Sequence, residues 1–319
     1  DFGLAGSPRA WLGGLPGLVK TAALEWPNVG ARAIDLDLGE LVAADAGALI
    51  AQELLAGGLE LEVALTPTAE TKRRTLESFR EDLDANADAT PRLGPTDVVL
   101  ASGGARGVTA TTLVALAQKT CARFVLLGRS PLAAEPASVR GLTADADLKR
   151  ALLGDAKARG EAITPAGLGQ QVAAIRGARE VQQTLADIEA AGGLARYVPV
   201  DVLDEAGIAA ALESVRAEWG PITAVVHGAG LLADKRIEDK TVEQFERVFR
   251  TKVDGLRVLL SATRRDPLKA LVMFSSVAGR CGNQGQCDYA MANETLNKVA
   301  ALEKLRRGGT LSVKSLNWG

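Results

Sequence analysis

Cysteine and histidine are scarce in this sequence. Its 319 residues include three cysteines, Cys121, Cys281 and Cys287, and a single histidine, His227. The cysteines have no metal-binding or redox spacing, and their odd number argues against a disulfide framework. We therefore expect reduced thiols, as in a cytoplasmic protein, and no metal site. A Ser-His-Asp triad would have to use His227, which disfavours a hydrolase of that kind.

Long apolar runs and a surplus of one charge are also missing. No run approaches the ~20 residues of a membrane-spanning helix, and no secretory signal is visible. The 37 basic and 39 acidic residues give a net charge of −2. Neither nucleic acid nor an anionic membrane is therefore favoured as the main partner. A hydrophobic content of 47% predicts instead a globular protein with a sizeable core.

The chain divides near a polar stretch, Asn86 to Asp97, whose two prolines and one glycine predict a linker. Before it, residues 1–95 are interpreted as an α/β fragment of helices and strands. The predicted helices cover residues 12–27 and 45–58, and the predicted strands cover residues 31–38 and 61–67. We find no chemistry in this part, and we expect its acidic and arginine residues to form solvated faces.

The pattern changes in residues 96–319, where short apolar runs alternate with helical stretches. The runs read DVVLAS, RFVLLG, RYVPVD, TAVVHG, ALVMFSS and SVKSLNW. Strands that alternate with helices predict βαβ units, and continuous apolar runs predict parallel strands covered on both faces. The predicted fold class is therefore α/β, a Rossmann-type doubly wound parallel sheet.

The second and third of these runs lie unusually far apart, which predicts a long insertion at about residues 130–178. The insertion contains a helical piece at residues 146–160, and a separate helix is predicted at residues 179–193. Two interpretations are equally open. The insertion is either an interaction surface or a tolerated excursion of the chain over the surface.

A glycine-rich turn follows the first run, in the sequence SGGARGVTA. Glycines between a strand and a helix let the backbone approach a pyrophosphate, which the helix N-terminus then binds. Gly103, Gly104 and Gly107 are the predicted glycines, while Thr109 replaces a further motif glycine, so that helix and strand are expected to pack slightly further apart. Arg106 lies inside the turn and either reaches a phosphate or faces solvent.

The residues after the second run predict which dinucleotide is bound. An arginine there accommodates the 2′-phosphate of NADP, so Arg129 and Ser130 favour NADPH over the alternative of a surface arginine in a helix-capping loop. Asp201 and Val202 follow the third run, where they would meet the adenine. His227 is expected to have no chemical role. The full predicted cofactor set is Gly103, Gly104, Arg106, Gly107, Val108, Arg129, Ser130, Asp201, Val202, Gly228, Ala229 and Gly230.

The stretch from Phe274 to Asn297 contains the candidate catalytic residues. Ser275 and Ser276 end the fifth run, at the sheet edge where open α/β proteins bind ligands. Tyr289 and Asn293 are four residues apart on a predicted helix and share one face. Tyrosine has an unperturbed pKa near ~10, so proton donation to a reduced ketone needs a nearby ammonium.

This constellation resembles the ketoreductase domains of modular or iterative polyketide and polyunsaturated fatty acid synthases, a branch of the short-chain dehydrogenase/reductase superfamily. In that branch an asparagine follows the tyrosine by four residues, and the lysine comes from the helix before the serine strand. Here Asn293 follows Tyr289, and Lys252 precedes it by thirty-seven residues. Ser276, thirteen residues before Tyr289, matches better than Ser275.

The resemblance implies roles for these four residues. Tyr289 would donate the proton, Ser276 would orient the carbonyl oxygen, Lys252 would assist Tyr289 and hold the nicotinamide ribose, and Asn293 would support Lys252 and a relay water. The implied substrate is a β-ketoacyl phosphopantetheine on an acyl carrier protein, and neighbouring synthase domains are the other implied partners. The turn and the long insertion look most like the polyunsaturated fatty acid and enediyne synthase versions.

The resemblance also bears on stereochemistry and on extent. Reductases that give the 3R hydroxyl usually carry Leu-Asp-Asp after the fourth strand, whereas this chain has Leu232, Ala233 and Asp234. The tryptophan that marks the opposite class is replaced by Cys281. We expect a 3R product, the alternative being that Asp234 only caps or pairs in a surface loop. Because the chain starts at Asp1 and ends at "LNWG", we expect it to be a piece of a longer protein. The resemblance implies that residues 1–95 are a partial structural subdomain, the second half of a truncated, cofactor-free Rossmann-like unit, and that its first half and a lid after Gly319 are missing.

Two other hypotheses stay open at this point. A reductase-like domain that only scaffolds its neighbours would carry a degenerate tyrosine or glycine turn, and Thr109 is the one feature in its favour. A free-standing short-chain reductase for a small ketone or sugar is disfavoured by the extra N-terminal segment and by Asn293 in the position of the usual lysine.

Overall fold

The computed structural model describes residues 2, 7–56, 58–66, 72–76, 93–308 and 311–319. The helices are α1 (Leu15–Glu25), α2 (Ala43–Ala56), α3 (Gly107–Thr120), α4 (Asp145–Ala158), α5 (Pro165–Ala190), α6 (Glu205–Trp219), α7 (Val242–Ala262), α8 (Val277–Cys281) and α9 (Cys287–Arg306). The strands are β1 (Ala33–Leu36), β2 (Glu62–Thr66), β3 (Lys72–Thr75), β4 (Val98–Ser102), β5 (Arg123–Gly128), β6 (Leu194–Pro199), β7 (Ala224–His227), β8 (Ala270–Ser276) and β9 (Ser312–Trp318). Short 3₁₀ turns precede α1, α4 and α7.

The predicted α/β class and all the strands predicted in residues 96–319 are confirmed. By its internal contacts the chain forms two compact units. Unit 1 comprises residues 1–92 and 222–319, and unit 2 comprises residues 93–221. The predicted boundary between sequence domains near residue 95 stays a prediction, and residues 86–92 of the predicted linker lie outside the described part. Among the described residues, no helix has the length and apolar character needed to cross a membrane.

Unit 2 is built on three parallel strands in the order β6-β5-β4. Every residue of β4 is buried, and Phe124 at the centre of β5 is fully enclosed. Such strands need apolar side chains on both faces, which explains why their sequences form continuous apolar runs. The strands run in one direction, so β4 and β5 deliver the residues that follow them to the same edge of the sheet.

The long connection between β5 and β6 folds as helices with a small core of their own. Val139, Leu148, Leu152 and Val172 are buried together. Helix α4 matches the predicted helical piece, but α5 starts at Pro165 rather than at residue 179, so the last part of the predicted insertion belongs to a longer helix. The Thr164 side chain caps that helix by accepting from the Gly167 N–H, and proline is well tolerated at the first helical position.

Unit 1 contains the parallel strands β7-β8-β9 and a second sheet in the order β1-β2-β3. In that second sheet β1 pairs with β2 in parallel, and β3 pairs with β2 in the antiparallel sense. Strand β3, with the sequence KRRT, was not predicted. Helix α7 starts with a complete capping box, because Thr241 and Gln244 each satisfy a backbone N–H of the other.

Helix α1 lies almost directly on the backbone of α9. A Cβ atom added at Gly14 would approach the Met291 carbonyl oxygen to 2.5 Å, and one added at Gly17 would approach the Ala290 carbonyl oxygen to 2.5 Å. Only residues without a side chain allow this distance. The N-terminal segment therefore supports the helix that carries Tyr289.

The expectation that acidic residues before residue 95 form solvated faces is wrong for several of them. Glu25, Glu53 and Glu62 are buried. Glu53 forms ion pairs with Arg32 and Arg73, and hydrogen bonding to Arg73 lowers its pKa. Burial opposes ionisation of Glu62, but the neighbouring lysines lower its pKa overall. A buried carboxylate is tolerated because partners of opposite charge accompany it.

Candidate active site

Two adjacent serines end β8, and their hydroxyl groups make different contacts. The Ser275 hydroxyl is buried and donates to the backbone carbonyl of Asn293 at 3.0 Å. The Ser276 hydroxyl oxygen accepts from the Ala278 N–H at 3.1 Å, which makes Ser276 the N-cap of α8. That bond uses an oxygen lone pair and leaves the Ser276 proton to be donated to another oxygen. Ser275 thus ties β8 to α9, while Ser276 retains a donor.

Tyr289 and Asn293 lie one turn apart in the first half of α9. The Asn293 amide nitrogen donates to the Tyr289 carbonyl oxygen at 2.9 Å. Asn293 is fully buried, and its Oδ1 has no hydrogen-bond partner among the described residues. An unpaired buried oxygen is costly in a finished core, so it marks a position where a donor is expected to bind.

The Lys252 side chain extends from α7 towards Tyr289. Its ammonium nitrogen lies 5.2 Å from the centroid of the Tyr289 ring and donates to the Phe274 carbonyl oxygen at 2.8 Å. Burial lowers the Lys252 pKa from 10.5 to about 8. The lysine remains mostly charged at neutral pH, but it holds its proton less tightly than an exposed lysine does.

His227, the last residue of β7, holds the backbone of Lys252. The fully buried imidazole donates from Nε2 to the Lys252 carbonyl oxygen at 2.8 Å. Burial and the charge of Lys252 lower the His227 pKa from 6.5 to about 3. The ring is therefore neutral at physiological pH. Through its hydrogen bond to the Lys252 carbonyl oxygen, His227 fixes the position of this part of α7. The sequence analysis missed this contact, and its only trace is the polar residue at the end of an apolar run.

The segment after β7 contributes Gly228, Ala229 and Gly230. A Cβ atom added at Gly230 would lie 3.0 Å from Lys252 Cε, so a larger residue would press on the lysine side chain. Further along, the exposed Asp234 accepts a hydrogen bond from the Gln286 side chain at 3.1 Å. The loop after β7 therefore contacts the turn that precedes α9.

The predicted phosphate-binding turn lies in unit 2, between β4 and α3. Gly103 and Gly107 have positive φ values of 64° and 61°, a conformation that favours glycine. A Cβ atom at Gly104 would lie 2.7 Å from Leu113 Cδ1, whereas one at Gly107 would meet nothing within 4 Å. The turn is packed on its inner side and open on its outer side.

The first N–H groups of α3 fit an anion. Arg106 is the N-cap residue but makes no side-chain capping bond, so the helix start offers backbone donors and a positive dipole end. The Arg106 guanidinium instead forms a surface ion pair with Glu180 on α5. Val108 is 40% exposed in the first turn, and Thr109 is buried beside it.

The other predicted cofactor residues of unit 2 follow β5 and β6, which end at the same edge of the sheet. Arg129 and Ser130 are exposed. The Ser130 carbonyl oxygen accepts from the Tyr197 hydroxyl at 2.8 Å. Asp201 accepts from the Leu203 N–H at 2.9 Å, and Val202 is buried. Arg129 and the glycine turn thus both follow strands of unit 2 that run in the same direction.

A family model described as "KR domain" matches residues 98–319 of this sequence. The chain belongs to the ketoreductase (KR) domain family. It is a KR domain of the kind found in type I polyketide and polyunsaturated fatty acid synthases, which use a nicotinamide cofactor, and its fold is the Rossmann-type fold of short-chain reductases. The resemblance inferred from Lys252, Ser276, Tyr289 and Asn293 is thereby confirmed at the level of the family.

Curated relatives are much longer than this KR domain. A polyunsaturated fatty acid synthase component of Thraustochytrium sp. is 36% identical over 321 residues, which is 98% of this chain but 11% of that protein. Polyketide synthase PksL of Bacillus subtilis is 29% identical over 310 residues, 95% of this chain and 6% of that protein. The chain therefore spans about a tenth or less of the length of these relatives.

Solved ketoreductase structures have the same fold as this chain. The A-type ketoreductases from a modular polyketide synthase are 26% identical with a TM-score of 0.68, covering 98% of this chain and 55% of that one. An N-terminal ketoreductase from the macrolactin assembly line is 25% identical with a TM-score of 0.67, covering 96% of this chain and 51% of that one.

Proposed function

We propose that this KR domain uses NADPH to reduce a β-ketoacyl thioester, carried on an acyl carrier protein, to a 3-hydroxyacyl thioester. The position of Lys252 carries the proposal. Its ammonium lies 5.2 Å from the centroid of the Tyr289 ring and pairs with no carboxylate in the described part of the chain. A buried cation without an anionic partner is suited to stabilise negative charge that forms during a reaction.

The cofactor would be held by backbone and by charge. The N–H groups of the turn at Gly103, Gly104 and Gly107 would bind its pyrophosphate, and Arg129 with Ser130 would bind the 2′-phosphate. Asp201 and Val202 would contact the adenine. Gly228, Ala229, Gly230 and Lys252 would hold the nicotinamide ribose, and when bound the cofactor supplies the hydride.

The protein's own groups handle the proton and the charge on oxygen. Tyr289 donates its phenolic proton to the carbonyl oxygen as that oxygen becomes negative. The Lys252 ammonium stabilises the phenolate that is left behind. Ser276 donates a second hydrogen bond to the same substrate oxygen and fixes its direction. These roles need one donor from each of three elements, α9, α7 and β8.

Asn293 would complete the path by which Tyr289 regains a proton. Its unpaired Oδ1 can accept from a water molecule that also contacts the Lys252 ammonium. The amide nitrogen is already committed to the Tyr289 carbonyl. The side chain therefore has one fixed end and one end that is available to a ligand.

Asp234 and its loop would set the orientation of the substrate, with a 3R product expected. The substrate class follows from the relatives named above, which are polyketide and polyunsaturated fatty acid synthases. An acyl carrier protein and neighbouring synthase domains are the proposed partners, and the cytoplasm is the proposed location.

The direct test is NADPH oxidation with a β-ketoacyl thioester, measured for the parent protein and for Tyr289→Phe. The variant keeps the ring under Lys252 and removes the proton donor, so kcat is expected to fall by about 10³-fold. NADPH affinity, measured by fluorescence titration, should stay near the parent value. Equal rates for both proteins would refute the assignment, and absence of NADPH binding would favour a scaffold domain instead.

Cofactor preference has a separate test. Arg129→Ala should raise the KM for NADPH about tenfold while leaving the KM for NADH nearly unchanged, because only NADPH carries the 2′-phosphate. Arg150→Ala is the matched control, since this exposed arginine pairs with Asp147 on α4 and is not one of the predicted cofactor residues; both KM values should stay near those of the parent. A similar rise for both cofactors in Arg129→Ala would contradict the predicted selectivity.

A further inference from the structure

Glu25 connects two loops beside the candidate active site. It is the last residue of α1, and it is 7% exposed. One carboxylate oxygen accepts from the Gly285 N–H at 2.7 Å, and the other accepts from the Ile237 N–H at 2.7 Å. Gly285 lies in the turn before α9, and Ile237 lies in the loop after β7. A single side chain therefore sets the distance between the two loops.

The position of the Glu25 carboxylate is electrostatically unfavourable for the stability of α1. A helix C-terminus is the negative end of the helix dipole, and a buried carboxylate also loses its hydration. The last turn of α1 contains no basic residue. The two backbone donors that offset these costs come from elsewhere in unit 1. The carboxylate is thus placed for the loops, since α1 gains nothing from it.

Lys240 makes a second connection between the same two segments. Its ammonium donates to Asp288 Oδ2 at 2.8 Å and to the Ala233 carbonyl oxygen at 2.8 Å. The side chains of Lys240 and Asp288 are only 3% and 1% exposed. Asp288 in turn accepts from the Tyr289 N–H at 2.8 Å. The lysine thereby ties the loop residue Ala233 to the first turn of the helix that carries Tyr289.

Two more hydrogen bonds join these segments directly. The Lys235 N–H donates to the Gly285 carbonyl oxygen at 2.9 Å, and the Gln286 side chain donates to Asp234 at 3.1 Å. These bonds are exposed or backbone-only, so on their own they would hold the loop weakly. The hydrogen bonds of Glu25 and Lys240 are the buried side-chain contacts between these segments, so they are expected to contribute most to holding the loop.

We propose that Glu25 and Lys240 are positioning residues that set the stereochemical outcome of the reduction. Together they form a clasp, here called the Glu25–Lys240 clasp, between the loop Leu232–Ile237 and the segment Gly285–Asp288, which contains the start of α9. The clasp fixes the Ala233–Asp234 segment relative to Tyr289. Neither residue touches the reacting atoms. This inference rests on the proposed function, because it assumes that the substrate lies between that loop and Tyr289.

The physical argument concerns the two faces of the carbonyl group. A ketone gives one alcohol configuration only if its substituents are held on fixed sides while Tyr289 and the cofactor act on it. Two substrate orientations need differ by only ~1.4 kcal/mol to give a tenfold product ratio. Loss of a buried Glu25 or Lys240 contact is expected to let the loop move enough to remove such a difference. Loss of the clasp is therefore expected to lower the stereoselectivity more than the rate of the chemical step.

Glu25→Gln is the main test. Glutamine has the same size, but its amide accepts with one end and donates with the other, so only one of the two backbone N–H groups can be satisfied. The 3R to 3S product ratio should fall at least about tenfold, and KM should rise while kcat changes less. Protection from hydrogen exchange at the Gly285 or Ile237 amide should also be lost, measured without substrate.

Glu53→Gln is the matched control. Glu53 is equally buried in unit 1, but its partners are the Arg32 and Arg73 side chains. Glu53→Gln should lower the melting temperature. It should leave unchanged the product ratio, KM and the hydrogen-exchange protection of the Gly285 and Ile237 amides. If Glu25→Gln behaves like Glu53→Gln, Glu25 has a structural role only and the proposal is overturned.

Lys240 is tested with a graded pair of variants. Lys240→Met leaves Asp288 buried without its cationic partner, and Lys240→Arg keeps the charge, so the arginine should restore most of the product ratio that methionine loses. A parent-like ratio in folded Lys240→Met would overturn the proposal. If the parent protein shows no reduction at all, the proposed function fails instead. Unchanged amide protection in Glu25→Gln would then still overturn the clasp.

Discussion

Two buried lysines of unit 1 have opposite surroundings. Lys298 on α9 forms ion pairs with Glu62 and Glu294 at 3.4 and 3.0 Å, and Lys20 completes the same cluster through Glu62. Lys252 on α7 is equally buried, but in the described part of the chain its ammonium meets a carbonyl oxygen and an aromatic ring rather than a carboxylate. Compensated charge at Lys298 joins elements together, whereas uncompensated charge at Lys252 is kept for chemistry.

The strongest way to test this comparison is to remove the uncompensated charge. Lys252→Met preserves the length of the side chain and deletes the ammonium, so the Tyr289 phenolate loses its stabilising cation. We expect kcat/KM for the β-ketoacyl thioester to fall by about 10³-fold. Steady-state assays at pH 7 measure the change.

Lys298→Met is the control for the same substitution at a compensated site. It should retain most of the activity per folded molecule, because the described ion pairs of Lys298 are with Glu62 and Glu294, which are not among the candidate catalytic residues. A comparable loss of activity in both variants would mean that the active site responds to the loss of any buried charge in unit 1, and the distinction between the two lysines would fail.

Stability should change in opposite directions in these two variants. Lys298→Met leaves Glu62 and Glu294 partly unpaired in the core, which should reduce the free energy of unfolding by ~3–5 kcal/mol. Lys252→Met removes a desolvated cation and should increase stability of the cofactor-free protein at pH 7. Urea denaturation of both proteins decides the matter, and a loss of stability in Lys252→Met would show that its charge is compensated after all.

The two serines of β8 offer a smaller, sharper contrast. Ser276→Ala removes the proposed donor to the substrate oxygen, and kcat should fall by about 10²-fold. Ser275→Ala removes only the bond to the Asn293 carbonyl, so kcat should change less than about threefold while the melting temperature falls slightly. A reversed order of the two effects would move the catalytic assignment to Ser275.

The sequence predicted the elements that are defined by their own residue composition. Strands β4, β5 and β8 are continuous apolar runs because both of their faces are covered, and this property is visible in the letters alone. The early start of α5 was also visible, in the Thr164–Pro165 pair, but alanine and glycine nearby suggested an insertion instead. Strand β3 was missed because its sequence is basic rather than apolar, and its Arg73 pairs with Glu53 and Glu60 instead of filling a core.

The candidate site was predicted where residue types and spacing define it, and missed where backbone defines it. Lys252, Tyr289 and Asn293 are named by their chemistry, and the structure brings these three residues together, while their roles stay predictions. The partners of Glu25 are backbone amides that lie 212 and 260 residues away in the chain. A backbone N–H exists at nearly every position, so such a contact leaves no mark on the sequence. The same reason explains why the His227 contact with the Lys252 carbonyl was missed.

The smallest expected effect concerns pH, and it tests the uncompensated charge of Lys252 without any activity assay. The Lys252 pKa is lowered to about 8 in the folded protein from 10.5, so between those values the unfolded chain binds more protons. The free energy of unfolding must therefore rise with pH across this window, because its slope with pH is positive wherever the unfolded chain binds more protons than the folded protein. From pH 7 to pH 9 the gain attributable to Lys252 is roughly 1 kcal/mol.

The gain is isolated by comparing the parent protein with Lys252→Met at both pH values. The stability advantage of the variant should shrink by that amount at pH 9, since the parent lysine then loses its proton in the folded state. An advantage of Lys252→Met that is independent of pH would mean that better apolar packing, and not desolvation of a charge, is its cause.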